Sequence, residues 1–254
     1  MSAQARVRRG LFELLYKNRA LYWFASTIPF AGQWRVWQRL AMPRLQGQDV
    51  LEVGCGIGDL LVDMAQAGYH CQAIDRSPQM VAATRAKLAR KGLTQQVTVI
   101  QGRVQELPFE DASFDSIVST FPTEYIYDPG AIRELARVLR PGGRLIIVIG
   151  AALLPVGPVN FFLTLLHTLV YGSSALYKQR RPASKRRPAP DGDADSQPDT
   201  SNGGAGAHIP LEVSGLSRRE EREASHLWEA FLIIGEKPEI HKNDLLPKGA
   251  PAQG

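Results

Sequence analysis

Between residues 49 and 149, short apolar runs alternate with stretches of helical spacing, and this constrains the fold more than any other feature of the chain. Asp49–Val53 is an apolar run that ends in glycines, and Leu60–Ala67 follows with helical spacing. His70–Ile74 is the next strand, closed by Asp75. Ser77 then offers an N-cap and Pro78 a first-turn proline for a helix running to about Lys91. Val97–Ile100 and Phe114–Ser119 read as strands. Pro129 opens a further helix ending near Leu139, and Pro141-Gly142-Gly143 turns the chain into the apolar strand Arg144–Ile149. Strands separated by helices give right-handed crossovers and a parallel sheet buried on both faces. The fold class is α/β.

The flanks differ in kind from this body. Residues 1–45 hold eight basic side chains and one acid, net +7, whereas residues 46–177 hold ten and twelve, net −2. Nucleic-acid enzymes carry positive charge around their sites, so the acidic body argues against nucleic acid as a partner. Cys55 and Cys71 are the only cysteines, too few for a disulfide framework and without zinc-ligand spacing, which reads as a reduced, cytoplasmic chain with no metal. Arg8-Arg9 precedes a partly apolar stretch, but Glu13, Lys17 and Arg19 interrupt any export signal. The charge-free run between Arg144 and Lys178 is broken by Gly150, Pro155, Gly157 and Pro158 and is not one spanning helix. The expected organisation is a helical cap over 1–44, a core over 45–177, a disordered Pro/Arg/Asp-rich insertion over 178–207, C-terminal strands over 208–240 and a disordered tail over 241–254.

The segment Val50-Leu51-Glu52-Val53-Gly54-Cys55-Gly56-Ile57-Gly58 is the most informative. A strand turning into a helix through glycines exposes backbone N–H groups and lets a ligand approach the main chain. Nicotinamide dinucleotides need glycine at the first, third and sixth loop positions. Here the sixth is Asp59, which would repel a pyrophosphate, and Glu52 two residues before the loop suits a cationic ligand. Asp75 ends the next strand; it can accept from a vicinal diol or cap the helix that follows.

These residues resemble the first motif of class I S-adenosylmethionine-dependent methyltransferases, and the resemblance continues downstream. Asp75 stands seventeen residues after Gly58, where the family places a carboxylate on the ribose hydroxyls. Gly102-Arg103-Val104 with Leu107-Pro108-Phe109 resembles the adenine-side loop, Phe114–Ser119 the fourth strand, and Leu135–Leu145 the helix and turn before the fifth. The resemblance spans residues 45–150. It implies a Rossmann-like three-layer α/β/α sandwich with a mostly parallel seven-stranded sheet whose last strand is antiparallel. It also implies S-adenosyl-L-methionine held by Glu52, Gly54, Cys55, Gly56, Gly58, Asp75, Arg76, Met80, Gly102, Arg103, Val104 and Ser119. Arg103 departs from the pattern, because relatives usually have Asp there for the adenine amino group.

The resemblance implies methyl transfer to a small acceptor lying beyond the carboxyl ends of strands four and five, near Thr120, Glu124 and Tyr125, with Glu124 and Tyr125 read as exposed helix-start residues. No general base is identifiable. Thr120-Phe121-Pro122-Thr123 lacks the Asn/Asp-Pro-Pro-aromatic pattern of amino-methylating relatives, which again sets nucleic acid aside. Residues 158–171 are helical in pattern and mostly apolar; with the arm they suggest a greasy lid and an apolar or lipid-like acceptor. Arg6, Arg8, Arg9, Lys17 and Arg19, interleaved with large apolar residues, suit peripheral contact with an anionic membrane. The rival reading is a non-catalytic domain that keeps the fold as an interaction or regulatory module.

Overall fold

A computed structural model of the protein describes residues 33–154 and 208–239. The helix α1 (Trp34–Arg39) and a 3-10 turn at Met42–Arg44 lead into β1 (Asp49–Val53), α2 (Asp59–Gln66), β2 (His70–Asp75), α3 (Pro78–Arg90) and β3 (Val97–Gln101). β4 (Phe114–Thr120), a 3-10 turn at Glu124–Tyr127, α4 (Pro129–Val138) and β5 (Leu139–Leu153) follow. After a 3-10 turn at Leu211–Ser214 come β6 (Ser217–Ala224) and β7 (Trp228–Glu236). The seven strands form one sheet in the order β3-β2-β1-β4-β5-β7-β6. β1 to β5 are mutually parallel, and β7 runs antiparallel to both of its neighbours.

Burial explains the strand sequences. Leu51 and Val53 join one apolar layer with Ile117 of β4 and with Ile132 and Leu135 of α4, while Val50 joins the other with Leu60, Met64, Val81 and Leu88 of α2 and α3. All of these are almost wholly buried, each stabilising the fold by roughly 1.5–3 kcal/mol. The proline-led helices start where expected: Ser77 accepts from the Met80 N–H at 3.3 Å, and Asp128 accepts from the Gly130 N–H at 2.8 Å.

β3 and β4 are joined by an irregular segment, residues 102–113, where the sequence reads as a loop. β5 begins at Leu139, directly after α4; Pro141-Gly142-Gly143 lies within it as an irregularity, Phe114 pairing with Leu139 but Ser116 with Arg144. β6 shows no apolar alternation because it is the sheet's edge, where its Arg and Glu side chains discourage pairing with another chain. The arm over 1–32, the helical pattern at 158–171, the insertion over 178–207 and the tail over 241–254 lie outside the described residues. Among the described residues no helix is long and apolar enough to cross a membrane, and both cysteines are free and buried.

Candidate active site

The strand order reverses between β1 and β4, and ligands of open α/β sheets bind beyond the carboxyl ends of strands at such a point. The glycine loop lies there. Gly54, Gly56 and Gly58 have φ of 71°, 54° and 71°, the left-handed region that other residues enter only with strain. Space adds to the requirement: a Cβ on Gly58 would lie 2.5 Å from Thr84 Cγ2, and one on Gly54 would lie 2.9 Å from the Tyr125 hydroxyl oxygen. Fully buried Thr84 braces the loop from α3, its hydroxyl donating to the Gly56 carbonyl at 2.8 Å. Nothing in the sequence marks Thr84, since a mid-helix threonine carries no motif.

Glu52 shares the parity of Val50 on β1 and so faces the α2–α3 layer. It is 1% exposed, and neither carboxylate oxygen has a hydrogen-bond partner among the described residues. Burial, reinforced by repulsion from Asp75 and Asp59, pushes its carboxyl up to about 8. An isolated buried carboxylate is costly unless it keeps a proton or meets a cation. Asp59 itself pairs with Lys87 at 2.7 Å.

Asp75 combines the two roles the sequence leaves open. Its Oδ2 accepts from the Gly56 N–H at 2.9 Å and its Oδ1 from the Ser77 N–H at 2.8 Å, tying the loop to the start of α3. Each oxygen retains a lone pair for a further donor. Burial raises its pKa against the opposing effect of those two N–H bonds.

The remaining expected residues divide. Ser119 is buried at the end of β4. The Tyr125 hydroxyl donates to the Val53 carbonyl at 3.2 Å, so the Ser119 hydroxyl donates to Tyr125, at 2.7 Å. Tyr125 is therefore not the exposed residue expected: it reaches back across the strand ends to Gly54, and burial raises its phenol. Glu124 is exposed as expected. Gly102 adjoins the site, its N–H donating to the Asp75 carbonyl at 3.1 Å, while Val104 is buried. Met80 is buried at the start of α3, and Arg76 and Arg103 are exposed. The Cys55 thiol is buried in the α2–α3 layer, where burial first and Glu52 second raise its pKa, so only the backbone of Cys55 is available to a ligand. Thr120 is also buried, its hydroxyl accepting from Gln38 Nε2 at 3.3 Å. Among the described residues no group of His, Cys, Asp and Glu could hold a metal ion.

A left-handed glycine loop, a buried carboxylate without a hydrogen-bond partner among the described residues and a second carboxylate at the end of β2 together form one candidate ligand site. Residues 51–147 match a family model described as a methyltransferase domain, and the sheet that carries them has the class I, Rossmann-like order. Among curated proteins the chain is similar to the demethylmenaquinone methyltransferase of Corynebacterium glutamicum strain R, 34% identical over 142 residues, covering 54% of this chain and 57% of that protein. It is likewise similar to the demethylmenaquinone methyltransferase of Mycolicibacterium gilvum, 35% identical over 130 residues, covering 50% and 54%. The chain thus spans a little over half the length of these curated relatives. Among solved structures, a protein of Methanococcus maripaludis described provisionally as an S-adenosyl-L-methionine-dependent methyltransferase shares the fold. Its TM-score is 0.58 at 20% identity, covering 89% of this chain and 95% of that one.

Proposed function

We propose that the protein is an S-adenosyl-L-methionine-dependent methyltransferase acting on an apolar, quinone-like small molecule. The observation that carries the first part is the Glu52 carboxylate, buried at the end of β1 before the glycine loop and without a hydrogen-bond partner among the described residues. A cationic cofactor seated on that loop supplies the missing charge, and Asp75 keeps lone pairs for a diol. When bound, S-adenosyl-L-methionine supplies a methyl carbon on a cationic sulfur; the acceptor atom bonds to it as the carbon–sulfur bond breaks, the electron pair returns to sulfur, and the acceptor's proton passes to solvent. The leaving group departs neutral, so the protein's contribution is alignment and exclusion of water. Gly54, Gly56, Gly58, Glu52 and Asp75 hold the donor, with Gly102, Val104 and Ser119 beside it and Arg76, Arg103 and Met80 at its edges. Thr120, Glu124 and Tyr125 stand on the acceptor side.

The acceptor class is supported by the demethylmenaquinone methyltransferases among the relatives and by the aromatic and aliphatic side chains gathered where α1 meets the end of β5 and the start of β7, with Trp37, Leu153 and Ala230 at their centre. The basic arm over 1–32 would bring such an acceptor within reach by resting on an anionic membrane. Liposome flotation tests that contact: the full chain should float with anionic vesicles and a chain lacking residues 1–30 should not. Equal partitioning would end the idea.

Calorimetric titration of S-adenosylhomocysteine tests the donor site. Micromolar binding to the wild type is expected, weakened by Asp75→Ala at least about tenfold, as for loss of hydrogen bonds to a charged group. No binding to folded wild-type protein would instead identify a non-catalytic module on the methyltransferase fold. Transfer of labelled methyl to a ring-demethylated naphthoquinol then tests the acceptor, and its absence with full donor binding would reject the quinone reading alone.

A further inference from the structure

Phe121 follows β4 directly and has φ of 50°. A bulky residue in the left-handed region is strained, and such strain persists only where the surroundings impose it, often at a functional site. Here they do. The Phe121 N–H donates to the Val148 carbonyl at 2.8 Å, and the preceding Thr120 is buried and held by Gln38. The twist lifts the Phe121 ring out of the sheet's alternation and lays it on Trp34 of α1, with ring centroids 4.0 Å apart and planes 24° apart. Trp37 stands tilted to Phe121 at 6.4 Å, and Trp228 meets Trp37 edge-on at 6.4 Å. Phe121 and Trp34 are both only partly buried.

The position matters as much as the strain. Ser119, two residues earlier and at most about 7 Å away along the chain, bonds to Tyr125, whose hydroxyl reaches the Val53 carbonyl and Gly54. Phe121 therefore stands at the carboxyl end of β4, the strand that pairs with β1 and borders the glycine loop. A residue serving only to pack α1 on the sheet would fill its place without a left-handed backbone and without leaving ring surface exposed.

We propose that Phe121, backed by Trp34, is a specificity-determining residue: its ring is the surface on which a planar aromatic acceptor stacks beside the donor loop. The inference rests on the methyl-transfer reading and narrows its acceptor from apolar molecules in general to flat aromatic rings. Stacked aromatic pairs add to simple area burial, so the ring should separate flat acceptors from flexible aliphatic ones.

The test uses the full chain with S-adenosylhomocysteine present, and 1,4-naphthoquinone and decanol as probes. Phe121→Leu should weaken naphthoquinone binding about three- to tenfold, measured by quenching of tryptophan fluorescence, and Phe121→Tyr should restore it. Decanol binding should not change across the three proteins, and calorimetric affinity for S-adenosylhomocysteine should stay within about twofold of wild type. Equal naphthoquinone affinity in wild type and Phe121→Leu would overturn the proposal. So would a parallel loss of all three ligands, which marks a packing role, or no naphthoquinone binding by wild-type protein that binds S-adenosylhomocysteine. Failure of the donor reading is separate: it shows as absent S-adenosylhomocysteine binding in the wild type.

Discussion

The two sides of the switch point are built by opposite means. On the proposed donor side, Glu52, the glycine loop, Asp75 and Thr84 come from one short stretch, and their constraints are conformational and electrostatic. On the proposed acceptor side, Gln38 reaches Thr120 across 82 positions, Trp34 reaches Phe121, and Trp228 arrives from the last strand. The comparison teaches that a local motif can specify where a cationic ligand sits, while the shape offered to its partner depends on how distant segments dock. Perturbing one side should therefore leave the other measurable.

The sharpest way to break the donor side alone is Gly58→Ala. The left-handed backbone costs a Cβ about 1–2 kcal/mol, and the 2.5 Å approach to Thr84 Cγ2 adds overpacking, giving a loss of roughly 3 kcal/mol in urea unfolding. Affinity for S-adenosylhomocysteine should fall by about 100-fold, the same scale of free energy. Adding Thr84→Ala should recover the steric part and not the backbone part. Full recovery would show that φ at Gly58 is not a constraint.

Glu52→Gln gives the next largest effect and has a pH signature. The folded pKa, about 8, lies above the ordinary carboxylate value. Between roughly pH 5 and pH 8 the folded state therefore holds a proton that the unfolded state has lost, and wild-type stability must fall as pH rises, by up to about 1.4 kcal/mol per pH unit. Glu52→Gln should flatten that slope in thermal melts from pH 5 to pH 9. A cationic ligand prefers ionised Glu52, so wild-type binding of S-adenosyl-L-methionine, whose sulfonium is charged, should release a proton near pH 7. Calorimetry in buffers of different ionisation enthalpy would detect it, and the substituted protein should show none. Identical buffer dependence in both would remove Glu52 from the donor site.

The same contrast governs what the sequence makes legible. The strand–glycine–helix turn, Asp75 and the proline-led helices follow from local chemistry: left-handed glycines, a carboxylate at a strand end, and Ser77 or Asp128 before proline. Tyr125 is misjudged as exposed because its partners, Val53 and Ser119, lie on two different strands. Phe121 is missed because no glycine, asparagine or aspartate announces its positive φ. β6 is hidden because an edge strand needs no apolar face, and Thr84 because its value lies in a carbonyl 28 positions away.

On the acceptor side the docking of α1 can be loosened without touching either ligand. Asp63 on α2 is nearly buried and takes hydrogen bonds from both Arg35 and Arg39, at 3.0 Å and 2.7 Å to one oxygen. Burial opposes its ionisation, but the two guanidinium groups outweigh it and hold the carboxyl at about 2. Both arginines are about half exposed, so solvent screening keeps the contribution of the pair to about 1 kcal/mol. Asp63→Asn should lower stability by about that amount at pH 7. Because the folded pKa is depressed, the wild type's advantage should vanish as pH falls from about 4 through 2. Naphthoquinone affinity should weaken about two- to threefold as Trp34 loses its support, with S-adenosylhomocysteine affinity unchanged. A loss on the donor side instead would mean that the two halves are not independent.

The smallest expected effect is at the far end of the same half. Lys237, just past β7, donates through Nζ to the Ala136 and Leu139 carbonyls at 2.8 and 2.7 Å, capping the C-terminus of α4 with positive charge. Its N–H and carbonyl also pair with Gly143 and Gly142, pinning the irregularity in β5. Lys237→Met keeps the stem's packing and those backbone bonds but leaves two helix-end carbonyls to water, a loss of about 1 kcal/mol. Neither ligand should notice, because the amino ends of the strands, where this cap sits, lie at the opposite edge of the sheet from the glycine loop. Chemical denaturation and calorimetry on one preparation would check both parts. A drop in stability with a matching drop in either affinity would show strain passing along β5 from one edge of the sheet to the other, which a rigid parallel sheet should not permit.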